Sequence, residues 1–303
     1  MRRLVFSGTV LPCFLFLCLF LCGLAQAQDN KENFDRLMPA MGALERGDYK
    51  QAIDSLFPLA TDGTTEAQYT LGTILETAPP PLRNLEAAHG WYLRAAESGH
   101  AAAQNNLGAM HYDGRGAFLN FIEAARWYQL AADQGHAVAQ TNLALMYGMG
   151  LGVPQDSKIM AQLLEKAAET GDPRAQAQLA RLYLDGEGVE QNATQAVKWF
   201  RNAAAQGHEG AQFLLAVLLQ KGIGTPRDLE AATAWLRRAA DHGHRLAMFE
   251  LADALEQGLG VPSDPAAAKQ WRERARKIPP PRGGASADQT PSAQRVDPRR
   301  PKP

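Results

Sequence analysis

The stretch from Ala103 to His136 reads AQNNLGAMHYDGRGAFLNFIEAARWYQLAADQGH, and related segments return along the chain at a spacing of 36 residues. Shifting the sequence against itself by this spacing aligns columns of identical residues without a gap. One leucine column contains Leu71, Leu107, Leu143, Leu179, Leu215 and Leu251. A tryptophan column contains Trp91, Trp127, Trp199, Trp235 and Trp271, with Leu163 in the remaining place. Self-similarity at a period of about 20 to 50 residues is typical of a solenoid or another repeat array.

Polar residues and glycines divide each unit into two helices. An Asn or Asp precedes every second apolar segment, and its side chain can accept hydrogen bonds from the first-turn N–H groups of a helix. These residues are Asp48, Asn84, Asn120, Asp156, Asn192, Asp228 and Asp264. A glycine closes each unit, where a helix ends in a left-handed residue that glycine adopts at little cost. These glycines are Gly63, Gly99, Gly135, Gly171, Gly207 and Gly243. Each unit is therefore predicted to be a first helix (helix A), a Gly-x-Gly turn, a second helix (helix B) and a glycine stop.

Small and aromatic residues predict how the units stack. Helix A carries an Ala-Gln-x-x-Leu-(Gly/Ala) pattern, and the small residues allow two helix axes to approach closely. A large aromatic side chain buries about 150–250 Å², so we predict that the tryptophan column is the main anchor between neighbouring units. A single helix pair cannot bury its apolar stripe alone, and stacked neighbours create the continuous core.

The pattern AQxxLGxxYxxGxGVxxDxxxAxxWxxxAAxxGH resembles the Sel1-like repeat, a branch of the tetratricopeptide-repeat superfamily. The resemblance covers residues from Asn33 to Ile278. It implies an all-α fold, a right-handed α-solenoid of about seven antiparallel helix pairs. It also implies a role as an adaptor or regulator of protein complexes, although fold alone does not determine function.

The first 27 residues have the features of a secretory signal peptide. Arg2 and Arg3 are followed by an apolar run, and Ala25-Gln26-Ala27 is a typical cleavage motif. We predict cleavage between Ala27 and Gln28 and a periplasmic or secreted location. The alternative is an uncleaved anchor, but the apolar run is shorter than the ~20 residues that a membrane span needs. After cleavage we expect no stable membrane span.

Beyond the leader, the sequence predicts three further regions. Residues 28–63 form an N-terminal capping helix pair that lacks the long glycine turn, residues 64–278 form six repeats of 36 residues, and residues 279–303 form a basic, Pro-rich tail. The tail has no apolar periodicity, which favours disorder, and an arm that touches a partner is the alternative.

Motifs for catalysis or metal binding are missing or incomplete in the sequence. No serine has a lysine three residues later, and the H-E-x-x-H zinc motif that begins at His208 has Gln212 in place of its second histidine. The histidines that follow the closing glycines, His100, His136, His208 and His244, recur one unit apart, too far to share one ion. We interpret them as polar residues at the start of helix A. We therefore predict no enzyme, no catalytic residue, no metal site and no cofactor.

The remaining candidate is a binding surface on helix A. Two columns near the invariant leucine vary in sequence, and in this superfamily the A helices line a concave face that contacts peptides. Asn106, Asn142 and Gln178 place amides in one column, and Arg181 lies in the next. Amide side chains can donate to and accept from the backbone of an extended peptide. The alternative is a solvated helix face without a partner.

The leading hypothesis is an exported, non-enzymatic scaffold or adaptor. Its net charge of −1 at pH 7 gives no reason to expect a nucleic acid partner, and we predict none. It would bind a protein or peptide along the concave face as a monomer and regulate an envelope complex or a sensor kinase. The alternative is an envelope-associated hydrolase of β-lactam or peptidoglycan type.

Overall fold

The computed structural model describes residues 35–279, and all structural statements concern this range. The signal peptide predicted for residues 1–27 lies outside the described residues, as does nearly all of the tail predicted for residues 279–303. The described chain is built of α-helices and short connections. The helices are α1 (35–45), α2 (Tyr49–Thr61), α3 (Thr65–Thr77), α4 (Leu85–Glu97), α5 (Ala101–Asp113), α6 (Phe121–Asp133), α7 (Ala137–Met149), α8 (Ser157–Glu169), α9 (Pro173–Asp185), α10 (Ala193–Ala205), α11 (Glu209–Lys221), α12 (Leu229–Asp241), α13 (Arg245–Gln257) and α14 (Pro265–Lys277).

Consecutive helices pair as the repeat pattern predicts. The chain divides into two compact units, Met1–His136 and Ala137–Pro303. In the first unit α3 packs with α4 and α5 with α6. In the second, the pairs are α7 with α8, α9 with α10, α11 with α12 and α13 with α14. The predicted fold class, an all-α solenoid of about seven antiparallel helix pairs, is confirmed.

The predicted helix caps are confirmed, and the structure adds a second set. The side chains of all seven predicted Asn and Asp residues accept hydrogen bonds from first-turn N–H groups at the start of the B helices. His100, His208 and His244 cap the A helices, because the Nδ1 atom of each accepts the backbone N–H three residues later at 3.1 Å. Asp172 has the same role before α9. The histidine column is thus a set of N-caps.

Within each compact unit, the Gly-x-Gly turn of a repeat lies against the start of helix B in the preceding repeat. Gly186 ends α9 with φ +71°, and its N–H donates to Leu182 O at 2.8 Å. Gly188 also has φ +71°, and a Cβ at this position would overlap the carbonyl group of Ser157, the first residue of α8. Gly224 and Gly260 lie in the same way against the first residues of α10 and α12. The second glycine therefore permits a backbone contact that no side chain could share.

The tryptophan column is not the main anchor, and that prediction is wrong. Four of the five tryptophans are only half-buried. The fifth, Trp127, is buried and 5% exposed. In five repeats, the residue directly after the tryptophan column is the one that is fully buried. These residues are Tyr92, Tyr128, Leu164, Phe200 and Leu236, with exposures of 0–3%. The tryptophans lie towards the edge of the core, where cationic side chains cover their rings, as Arg238 does for Trp235 at 4.4 Å. Such a cation–π contact stabilises a ring that is partly open to solvent.

Buried glutamines connect four of the A helices to the helix before each of them. Gln68, Gln104, Gln176 and Gln212 are 3–6% exposed. Their Nε2 atoms donate to the carbonyl oxygens of Ala60, Ala96, Ala168 and Ala204 at 3.0–3.1 Å. These bonds satisfy polar groups on both sides of the contact, as a buried amide requires. The glutamine of the repeat pattern is therefore structural.

Candidate interaction surfaces

The predicted concave-face residues all lie half-buried on A helices. Asn106 is on α5 in the first unit, Asn142 is on α7 in the second, and Gln178 and Arg181 are one turn apart on α9. The Asn106 amide oxygen accepts a hydrogen bond from Asn105 Nδ2 at 3.2 Å, so part of its capacity is used. Within residues 35–279, Gln178 and Arg181 have no side-chain hydrogen bond or ion pair. Both can therefore meet a partner without breaking a contact of the fold.

The columns of Gln178 and Arg181 hold residues of different chemistry on the later A helices of the second compact unit. On α11 they hold Leu214 and Val217, which are half-buried and pack against the core. On α13 they hold Glu250 and Asp253, which are exposed. Burial and the neighbouring charge of Asp253 raise the pKa of Glu250. Residues that are cationic or amide on α9 are thus followed by apolar and then acidic ones.

A cluster of exposed large apolar side chains lies between α5 and α6. Phe118 is 94% exposed, Leu119 58% and Ile122 69%, all within five positions of the chain. We call these three residues the α5–α6 patch. Three later repeats hold only polar residues or proline in the same columns. Those residues are Pro154, Gln155, Lys158, Glu190, Gln191, Thr194, Pro226, Arg227 and Glu230. The preceding repeat has Leu82 in the Phe118 column, and the last has Ala266 in the Ile122 column. The combination of three large apolar side chains is therefore a property of this repeat.

Leu119 cannot make the side-chain hydrogen bond that residues in the same column make in four later repeats. Gln155 Nε2 donates to Gly148 O at 2.9 Å, and Gln191 Nε2 donates to Leu184 O at 2.6 Å. Arg227 and Ser263 make the corresponding bonds to Gln220 O and Glu256 O. Each of these side chains satisfies a carbonyl oxygen near the end of helix A. A leucine cannot do so, and its presence at an exposed site costs the fold a favourable contact.

Two histidines meet next to this patch. The Nε2 atoms of His89 on α4 and His111 on α5 are 3.5 Å apart, and His111 Nδ1 lies 3.4 Å from the Phe118 carbonyl oxygen. Burial, and then the charge of His111, lower the pKa of His89. Sequence reasoning missed this pair because it followed only the histidines after the closing glycines. The sequence does contain a signal for this pair, because the columns of His89 and His111 hold mostly apolar residues in the other repeats.

Among residues 35–279, no three His, Cys, Asp or Glu side chains converge as metal ligands. No helix in the same range combines the length and apolar character needed to cross a membrane.

The stacked, capped helix pairs and their half-exposed A-helix columns define a helical-repeat protein with surfaces suited to binding. A family model described as Sel1 repeat matches residues 65–100, 101–136, 137–172, 173–208, 210–244 and 245–277. These segments make up more than half of the chain, and the protein belongs to the Sel1 repeat family. Sel1-repeat proteins are generally non-catalytic protein-interaction modules.

Two solved structures show how far the similarity extends. One is a protective antigen of uropathogenic Escherichia coli strains that displays an SLR fold, with 31% identity and a TM-score of 0.75 over 85% of this chain. This chain spans 56% of the length of that antigen. The other is a Sel1 repeat protein from Oxalobacter formigenes, with 33% identity, a TM-score of 0.71, and coverage of 80% of this chain and 96% of that one. No curated protein is significantly similar to the chain.

Proposed function

We propose that the protein is an exported, non-enzymatic adaptor of the periplasm that binds a segment of another protein and thereby regulates an envelope complex or sensor kinase. The observation that carries the proposal of binding is the α5–α6 patch. Exposed apolar clusters of about 300–600 Å² on soluble proteins are often functional. Here the cluster occurs in one repeat, and at Leu119 it replaces residues that make a side-chain hydrogen bond near the end of helix A in other repeats.

The size of the patch favours a small apolar anchor of a partner over a second copy of this chain. An aromatic side chain presents about 150–250 Å², so three large side chains at these exposures present roughly 400 Å². Two copies meeting through the patch would bury about 800 Å² in total, below the ~1,200–2,000 Å² of stable complexes. A partner segment with a few large apolar side chains fits the patch and can add contacts elsewhere.

The A-helix face supports the same function with polar groups. Gln178 can donate to and accept from a peptide backbone, and Arg181 can pair with a carboxylate of the partner. Asn106 and Asn142 occupy the same column as Gln178 in other repeats. We propose that Asn106 in the first compact unit, and separately Asn142, Gln178 and Arg181 in the second, contact the bound protein.

Site-specific photo-crosslinking in cells tests the proposal. A photoreactive residue at position 118 or 178 should capture the same partner, whereas one at exposed Glu97 on α4 should not. Substituting Phe118→Glu, Leu119→Gln and Ile122→Lys installs residues found in these columns of other repeats, so the fold is preserved. This variant should lose the partner in pull-down experiments.

A matched control places the same three residues in another repeat. Pro226→Glu, Arg227→Gln and Glu230→Lys change the corresponding columns between α11 and α12 and should retain the partner. Asn106→Ala, Asn142→Ala, Gln178→Ala and Arg181→Ala together test the A-helix surface. If both sets of variants capture what the unaltered protein captures, the proposed surfaces are wrong.

A further inference from the structure

The pair formed by His89 and His111 replaces an apolar contact of the repeat. In other repeats the two columns hold residues such as Val197 with Leu219, or Ile53 with Leu75. Here two imidazole rings lie edge to face, with an interplanar angle of 85° and centroids 5.3 Å apart. The 3.5 Å between their Nε2 atoms is longer than the ~2.7–3.2 Å of a normal N–H hydrogen bond. A direct hydrogen bond therefore explains the substitution poorly.

The spacing does fit two ligands of one metal ion. An ion about 2.0–2.1 Å from each nitrogen would see the two Nε2 atoms at an angle of roughly 117°, near the tetrahedral value. If both lone pairs point at this ion, the ring centroids lie roughly 5.5 Å apart. The observed separation of 5.3 Å agrees with this arrangement.

The surroundings favour the form of the rings that binds metal. The Phe118 carbonyl oxygen can only accept a hydrogen bond, and at 3.4 Å from His111 Nδ1 it favours the tautomer with the proton on Nδ1 and the lone pair on Nε2. A backbone carbonyl in this position is a common support of a metal-binding histidine. Both rings are also partly exposed, which gives an ion access.

We infer that His89 and His111 bind one first-row transition-metal ion, with Zn²⁺ and Cu²⁺ as the best matches to imidazole ligands. Water or a donor group of a bound partner completes the coordination. The ion links α4 to α5, the last helix of one repeat to the first helix of the next. Sequence analysis predicted no metal site because it considered a different histidine column.

Calorimetric titration with ZnCl₂ and, separately, CuCl₂ tests the inference on protein purified without a histidine tag. The unaltered protein should bind one ion per chain and gain several degrees in Tm, because the ion binds the folded state. His89→Val with His111→Leu reproduces the residues of another repeat, so it should fold, lose affinity at least tenfold and show no metal-dependent rise in Tm.

His208→Asn is the matched control, because it removes a histidine yet leaves a residue that can cap α11. This control should bind the ion as the unaltered protein does. Absence of binding to the unaltered protein, or equal binding by the His89→Val/His111→Leu variant, overturns the inference.

Discussion

The Tyr92 ring of α4 lies directly against Gly72 of α3, where a Cβ atom would come within 2.7 Å of Tyr92 Cδ1. Gly108 and Tyr128 have the same relationship, at 2.8 Å. Three later repeats place alanine in the glycine column and Leu or Phe in the tyrosine column. Those pairs are Ala144 with Leu164, Ala180 with Phe200 and Ala216 with Leu236. The two columns therefore share one volume between helix A and helix B.

Gly72→Ala should destabilise the fold by about 1–3 kcal/mol, because overpacking a filled core forces side chains to move. The improved helix propensity of alanine, about 0.5–1 kcal/mol, offsets part of this cost. Adding Tyr92→Leu recreates the Ala216/Leu236 combination and should recover stability. Urea unfolding of the two single variants and the double variant measures the coupling, and strictly additive changes would show that the columns do not share a volume.

Two glycines with similar backbone angles should respond very differently to alanine. Gly188 and Gly207 have φ +71° and +88°, but a Cβ would overlap the Ser157 carbonyl only at Gly188, since nothing lies within 4 Å at Gly207. Gly207→Ala should cost about 1–2 kcal/mol from the left-handed backbone. Gly188→Ala should cost more than about 3 kcal/mol, since a clash adds to that strain. Equal unfolding free energies for both variants would contradict the described backbone contact.

Leu119→Gln should stabilise the protein although it changes a surface residue. By analogy with Gln155 and Gln191, the amide should reach the carbonyl oxygen of Tyr112 and add a hydrogen bond of about 0.5–1.5 kcal/mol. Thermal unfolding of Leu119→Gln and of Leu119→Ala as a control separates this bond from the simple loss of leucine. A Gln variant no more stable than the Ala variant would mean that the cap does not form.

Stability should fall as the pH is lowered from neutrality, in part because of His89. Its pKa lies below 6.5 in the folded chain, so the unfolded chain takes up the proton first. The contribution of His89 to the free energy of unfolding is therefore complete above about pH 6.5. It decreases as the pH falls towards the pKa of His89 in the folded chain and is constant below that pKa. His89→Val should flatten this part of the profile of unfolding free energy against pH. His136, whose pKa is also lowered by burial and by His100, should leave a residual slope.

The repeat unit and its caps could be predicted from sequence because each depends on local chemistry that recurs in register. An Asn or Asp before helix B and a glycine after it specify the hydrogen bonds and backbone angles of single turns. The choice of Tyr92 over Trp91 as the buried residue could not be predicted in this way. It depends on which of two adjacent aromatic residues faces the small residue of helix A, a difference of about 100° around the helix.

The candidate surfaces were harder to predict because they depart from the repeat. Columns shared by all units identify Asn106, Asn142, Gln178 and Arg181 as variable positions but do not say what binds them. Phe118 and His111 become informative only when their exposure and neighbours are known. The Nε2 contact between His89 and His111 spans two helices whose relative rotation the sequence pattern does not fix.

The carbonyl contacts of Gly188, Gly224 and Gly260 make successive joints of the second unit interchangeable. Each joint places a glycine against the backbone of the first residue of helix B in the preceding repeat. A gene segment encoding one full period could therefore be duplicated or deleted there while the remaining joints close as before. The number of repeats could then change during evolution without a change in the side chains that recognise a partner.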